Sequence, residues 1–351
     1  MCVLLIAAVS AGCSRKPPQF LPGGEDSTRV TSDDSLAAYV SRLQDQWESA
    51  GGGTTASPTV RLLAEDLVRH PDQPLAGRAR TFLDSCAFSA EVAGGDDVAA
   101  VNLFARSDPT GGSWPYLLWR DKARVRQQAL EAGGMRLFDL QAPDEPAAAD
   151  TGAALPPHLA GIFGRTGSRG QSPVVLVWQK APGASTWRLS QTLGTDSLGG
   201  VGAAEFQPGP GGSQSLMART YRPTPGFDEC ATCPHVHRTI HFEWQGNGYA
   251  RINEQVLESP YYSFVQLIAA LGVGDHDMAL RFLDNAALLD VLRGYEWGVS
   301  KGLWRVAPGT DEMAPEMTLF RGRSEAYKVR FANRGGHWLI TDAQPTERTL
   351  E

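Results

Sequence analysis

The chain has no apolar run close to the roughly 20 residues that a helix needs to span a bilayer. The longest short run of interest is residues 3–9, VLLIAAV, so a protein built from membrane-spanning helices is excluded. Cysteine is scarce: five in 351 residues, at Cys2, Cys13, Cys86, Cys230 and Cys233. There is one Cys-x-x-Cys and no second to complete a zinc ribbon. The 32 Lys and Arg are outnumbered by 39 Asp and Glu, for a net charge of −7, and they form no basic cluster. That argues against nucleic acid and anionic lipid headgroups as partners. No internal repeat of fixed period is present to suggest a solenoid or propeller. Gly199-Gly200-Val201-Gly202 lacks both the phosphate-binding lysine and the dinucleotide spacing, so it reads as a loop.

What the chain does hold is a globular composition, 42% hydrophobic, 9% aromatic and 20% charged, enough for two or three cores. Cysteine, histidine and aromatic residues gather in residues 227–256. There Ile240, Phe242 and Trp244 alternate with Thr239, His241 and Glu243, the period of a half-buried strand. Gln245-Gly246-Asn247-Gly248 tolerates positive φ, and residues 249–256 run back as the second strand of a hairpin.

Ahead of that strand stand Cys230, Cys233, His235 and His237. Two readings stay open. One is a local Cys230–Cys233 disulfide, suited to an oxidising compartment. The other is a metal site on all four side chains, although histidines at i and i+2 leave little freedom to surround one ion. Thioredoxin-like chemistry is disfavoured because no βα turn follows to set a thiolate at a helix N-terminus. A c-type haem is disfavoured because Pro234 stands where Cys-x-x-Cys-His needs histidine.

Elsewhere the pattern predicts an α+β protein. Helical periodicity appears over residues 36–47, 58–69 and 75–85, within a helical segment at 33–86. Cys86 lies on the apolar side of the last helix, where a cysteine serves as a small core residue. Residues 87–257 read as an antiparallel β region, a bent sheet or sandwich of roughly eight to ten strands, crossed by an Ala-, Pro- and Asp-rich surface loop at 142–157. Residues 258–351 read as helices followed by strands, with Asp275 as a cap. His276, Asp277 and Asp290 are polar candidates there, better read as caps or solvated positions. Gly298-Val299-Ser300-Lys301-Gly302 matches the nucleophile elbow by letter, but helix precedes it and strand follows, the reverse of what the elbow requires.

Two resemblances add to this. Residues 3–13, an apolar run followed by Ser10-Ala11-Gly12-Cys13, resemble the lipobox of bacterial lipoproteins. The resemblance implies a signal peptide over residues 1–12, lipidation of Cys13, a flexible tether over 13–32, and a cell-envelope location facing periplasm or exterior. The order of elements after Pro260, with FVQLIAALGVGDHDMALRFL and YKVRFANRGGHWLITDAQP, resembles the NTF2-like superfamily, in which helices close a curved sheet into a cone with a pocket. That likeness covers residues 259–345 and carries over no catalytic residue. The expectation is therefore a lipid-anchored envelope protein of binding or assembly type, without cofactor. It would touch the membrane through its lipid and present a surface to another envelope protein or a small ligand. The alternative is an envelope enzyme using the cone pocket or a metal at Cys230, Cys233, His235 and His237.

Overall fold

A computed structural model describes residues 53–85, 89–104, 113–132, 134–141, 158–167, 170–181, 184–208, 214–307 and 309–347. The signal peptide, tether and first helix expected from the sequence, Cys13, Cys86 and the loop at 142–157 lie outside these residues. The chain divides into two compact units, Met1–Leu130 and Glu131–Glu351.

In the first unit, helices α1 (Gly53–Arg69) and α2 (Leu75–Ser85) are followed by strands β1 (Ala90–Gly94), β2 (Val98–Phe104), β3 (Ser113–Asp121) and β4 (Arg124–Ala129). The strands pair antiparallel in the order β1-β2-β3-β4. Apolar residues at helical spacing on α1 (Val60, Leu63, Leu67) and α2 (Leu75, Ala79, Phe82, Leu83) meet Ala99, Val101 and Leu103 of β2. These β2 positions are two apart and so share one face. Asp66, almost fully buried, survives in that core because Arg78 of α2 donates to both carboxylate oxygens at 2.7 Å, the paired geometry that compensates a buried charge. Helix α1 begins at Gly53, so residues 53–56 of the stretch expected to separate the first two helices belong to it.

The second unit opens with β5 (Arg136–Gln141), β6 (His158–Gly167), β7 (Gly170–Gln179) and β8 (Arg188–Leu193). It continues with β9 (Val201–Pro208), β10 (Gln214–Tyr221), β11 (His237–Trp244) and β12 (Tyr249–Val256). They form two antiparallel sheets, β5-β6-β7-β8 and β12-β11-β10-β9, that share one core: Ala160, Ile162, Val175 and Val177 from one, Leu216, Ala218, Ile240 and Phe242 from the other. The Gly-rich segment at 199–202 is not a free loop. Gly200 has φ 132°, and a Cβ there would stand 2.0 Å from the carbonyl oxygen of Tyr221, so only glycine lets β9 start this close to β10. The β11–β12 hairpin turns where Gln245 N–H donates to Gly248 O at 2.9 Å.

Next come α3 (Pro260–Val273), α4 (His276–Leu280) and α5 (Ala287–Gly294), then β13 (Trp304–Val306), β14 (Glu316–Arg321), β15 (Glu325–Arg334) and β16 (His337–Pro345), paired in that order. Helix α3 starts where Ser259 Oγ accepts from Tyr262 N–H and Pro260 occupies the first turn, and it stops at Gly274 in the left-handed conformation, the pairing of cap residues expected at the two ends. Asp275 caps α4 by accepting from Met278 N–H.

The α+β expectation, with N-terminal helices and an NTF2-like cone, is corrected by this architecture. The described chain is mostly β: four antiparallel four-stranded sheets with five short helices. Two physical reasons stand out. Helices α4 and α5 are only five and eight residues long, too short to wall a cone. The space between α3 and its sheet is filled by side chains: Phe264 meets Trp297 and Trp304 at 5.6 and 5.1 Å between ring centroids, and Trp297 meets Tyr327 at 5.2 Å. The N-terminal periodicity that suggests a helical segment leads, within the described residues, into a sheet that the two helices cover.

One cation sits in that aromatic filling. Arg321, 1% exposed, lies over the rings of Trp304 and Tyr327 at 5.1 and 5.7 Å. It donates to the carbonyl oxygens of Glu296 (2.7 Å) and Tyr295 (2.8 Å), to Glu325 Oε2 (2.5 Å) and to the Tyr327 hydroxyl (3.2 Å). It thereby closes the end of α5 and supports Glu296, whose φ of 56° is left-handed. Arg321→Ala removes the buried cation and its bonds to Tyr295 O, Glu296 O and Glu325, although Glu296 O keeps the Val299 N–H and Glu325 keeps Tyr327 and Lys301, so the cost should be about 1–3 kcal/mol. Arg321→Lys should recover little, because a point charge cannot reproduce the planar fork. Guanidinium unfolding of the three proteins checks this, and a Lys variant as stable as wild type would refute the fork argument.

Candidate functional site

The segment between β10 and β11 leads into the candidate residues Cys230, Cys233, His235 and His237, and it is built on a fixed base. Trp304 N–H donates to Gly226 O at 2.9 Å and Asp228 N–H to Trp304 O at 2.8 Å, a parallel bridge that lays the segment along β13. Phe227 then packs edge-on against Tyr261 and Phe264, at 5.9 and 6.1 Å. This apolar anchor places the next acidic residue, Glu229, against α3.

The carboxylate of Glu229 is 4% exposed, yet it is well held. It accepts from the Thr224 backbone N–H at 3.0 Å and from the Tyr261 hydroxyl at 2.8 Å, and His235 Nδ1 stands 3.7 Å away. Burial pushes its pKa up, but the His235 ring and the Thr224 and Tyr261 donors outweigh burial, so the carboxyl titrates below its ordinary 4.5. The Tyr261 phenol is pushed strongly upward, by burial first and by the Glu229 charge second.

Cys230 and Cys233 are joined as a disulfide, and Cys233 N–H donates to Cys230 O at 3.1 Å, so the bridge spans a single turn. With a sequence separation of 3, the closed ring removes only about 2 kcal/mol of unfolded-chain freedom. Beyond it, His235 is buried and its ring stacks on Tyr221 at 3.5 Å between centroids. Neither ring nitrogen of His235 makes a hydrogen bond among the described residues. His237 opens β11 opposite Tyr221 of β10. Its Nε2 is 3.1 Å from Glu312 Oε2, and Arg219 pairs with the other oxygen of Glu312. The His237 bond, followed by the charges of His237 and Arg219, holds the Glu312 carboxyl below its ordinary value against the effect of burial.

The result is two acid–histidine pairs, Glu229/His235 and Glu312/His237, whose imidazole centroids lie 6.0 Å apart with the rings nearly perpendicular. They join the end of the β10–β11 ladder to α3 and to the connection before β14. The metal reading does not fit this geometry. Both sulfurs of Cys230 and Cys233 are bonded to each other, and among the described residues no three His, Cys, Asp or Glu side chains gather as a metal-holding group.

The remaining candidates are dispersed. His276, Asp277 and Asp290 face solvent. Gly298-Val299-Ser300-Lys301-Gly302 connects α5 to β13, with Lys301 paired to Glu296 and Glu325 and Ser300 exposed. Sequence reasoning misses Glu229, Tyr261, Arg219, Tyr221 and Glu312. Glu229 gives a local signal as the neighbour of Cys230, whereas Glu312 reaches Arg219 across a separation of 93. No protein-family model and no curated protein sequence matches the chain.

Because Glu229 titrates lower in the folded protein than in the unfolded one, its contribution to stability is complete above its ordinary pKa of 4.5 and is lost as pH falls through the depressed folded value. Glu229→Gln should therefore weaken the protein at neutral pH and flatten its loss of stability between about pH 5 and pH 3. Urea unfolding at stepped pH measures both; an unchanged acid limb would show that the carboxylate is not the group responsible.

Proposed function

We propose that this chain is a lipid-anchored protein of the bacterial cell envelope that works by binding or assembly rather than by catalysis. The observation that carries the reading is the Cys230–Cys233 disulfide, which suits an oxidising compartment outside the cytoplasm. It agrees in that respect with the lipobox-like residues ending at Cys13. Support for binding over catalysis comes from how the polar groups are spent. Glu229, His235, His237 and Glu312 are turned toward one another and toward Tyr261, Tyr221 and Arg219, as expected of groups that fix a surface.

A surface for a partner exists at β12, which ends its sheet with an outer edge that pairs with no other strand among the described residues. Ile252 and Val256 are exposed along it. An edge of this kind accepts an extended segment by backbone hydrogen bonds, with side chains setting specificity. The charges of Arg251 and Glu254, paired on the same strand, limit indiscriminate edge-to-edge association.

The anchor is the part of this reading with the plainest test. Each acyl methylene buried in the bilayer contributes about 0.8 kcal/mol, and no helix among the described residues is long and apolar enough to cross a membrane. Cys13→Ala should abolish incorporation of labelled fatty acid and move the protein into the soluble fraction. A variant that stays with the membranes would overturn the lipoprotein reading.

A further inference from the structure

We propose that the Cys230–Cys233 disulfide is a thiol–disulfide exchange site for the dithiol of a partner molecule, with Cys230 Sγ the sulfur under attack. The inference goes beyond the binding role and does not depend on the lipid anchor.

Three observations carry it. First, the two residues differ in exposure: Cys230 is exposed, whereas Cys233 is half-buried. An incoming thiolate meets Cys230 first, and the bond polarises toward Cys233 as leaving group. Second, the bridge joins two residues of one turn and ties no two elements together. The segment is held on the N-terminal side by the Gly226 and Asp228 bonds to Trp304 and by Glu229 on Tyr261, and on the C-terminal side by the His235–Tyr221 stack and the β10–β11 ladder. Opening the disulfide therefore leaves the scaffold in place. Third, the Thr232 hydroxyl lies 3.6 Å from Cys230 Sγ. A disulfide sulfur has no proton, so the hydroxyl is the donor, placed to stabilise a thiolate on Cys230. The donor that a helix N-terminus supplies elsewhere is here a side chain within the Cys-x-x-Cys turn itself.

The reaction balances without another reactant. A thiolate of the dithiol attacks Cys230 Sγ; the Cys230–Cys233 bond breaks and its electron pair leaves on Cys233 Sγ, which takes up a proton. The second thiolate of the dithiol then attacks its own sulfur in the mixed disulfide and expels Cys230 as a thiolate beside Thr232. The dithiol is oxidised to a disulfide, the bridge is reduced to two thiols, and the two protons of the dithiol end on Cys230 and Cys233.

The experiment uses the full chain in native buffer with dithiothreitol as the dithiol. Alkylation and peptide mass mapping should show both Cys230 and Cys233 becoming modified without denaturant, while the far-ultraviolet spectrum and cooperative unfolding persist. With the Cys230→Ser/Cys233→Ser double variant as the background for the other cysteines, Cys230 of Cys233→Ser should react with 5,5′-dithiobis(2-nitrobenzoate) roughly tenfold faster than Cys233 of Cys230→Ser, and Thr232→Val should slow the former. A bridge that opens only in denaturant, an opening that melts the protein, or Cys233 reacting as fast as Cys230 would each overturn the proposal.

Discussion

The second unit depends on a carboxylate almost cut off from water. Isolating Glu229 from solvent is unfavourable by itself, and the surrounding segment is arranged so that it is compensated. The Thr224 N–H comes from the same loop, the Tyr261 hydroxyl from α3, and His235 from the far side of the disulfide turn. Each of these groups must therefore keep its element where the carboxylate needs it, the first two as hydrogen-bond donors and His235 as a ring 3.7 Å away. Phe227, locked between Tyr261 and Phe264, sets the depth at which this happens.

Arg321 plays the complementary part deeper in the same unit. A guanidinium surrounded by Trp304 and Tyr327 would be costly without acceptors, and the carbonyls of Tyr295 and Glu296, just past α5, supply them. The helix end and the buried cation satisfy each other. The first unit applies the same rule with the signs exchanged, Asp66 being the buried ion and Arg78 its partner.

What can be read from the sequence is local. The β11–β12 hairpin announces itself through period-2 alternation and Gly246-Asn247-Gly248, and Ile240 and Phe242 are indeed buried while Trp244 is half-buried. The cap Asp275 is equally local and equally visible. The fold class is misread because periodicity reports that a helix has an apolar face but not what the face covers; α3 covers a sheet whose interior is filled by Trp297 and Trp304, not a cavity. The Tyr261–Glu229 bond spans 32 positions and Arg219–Glu312 spans 93, and no spacing rule links such residues before the chain is folded. The candidate site is thus half legible: its cysteines and histidines stand out by type, its carboxylates only by position in space.

The four sheets among the described residues are meanders, each strand lying beside its immediate neighbours in sequence. Sheets of that kind pair strands that follow one another in the chain, even where residues 142–157 and 222–236 lie between partners, so contact order within each sheet is small. A chain that emerges N-terminus first can complete one sheet before the next has arrived. The bond between Cys230 and Cys233 obeys the same economy of distance: both sulfurs emerge almost together, and their correct pairing requires no search along the rest of the polypeptide.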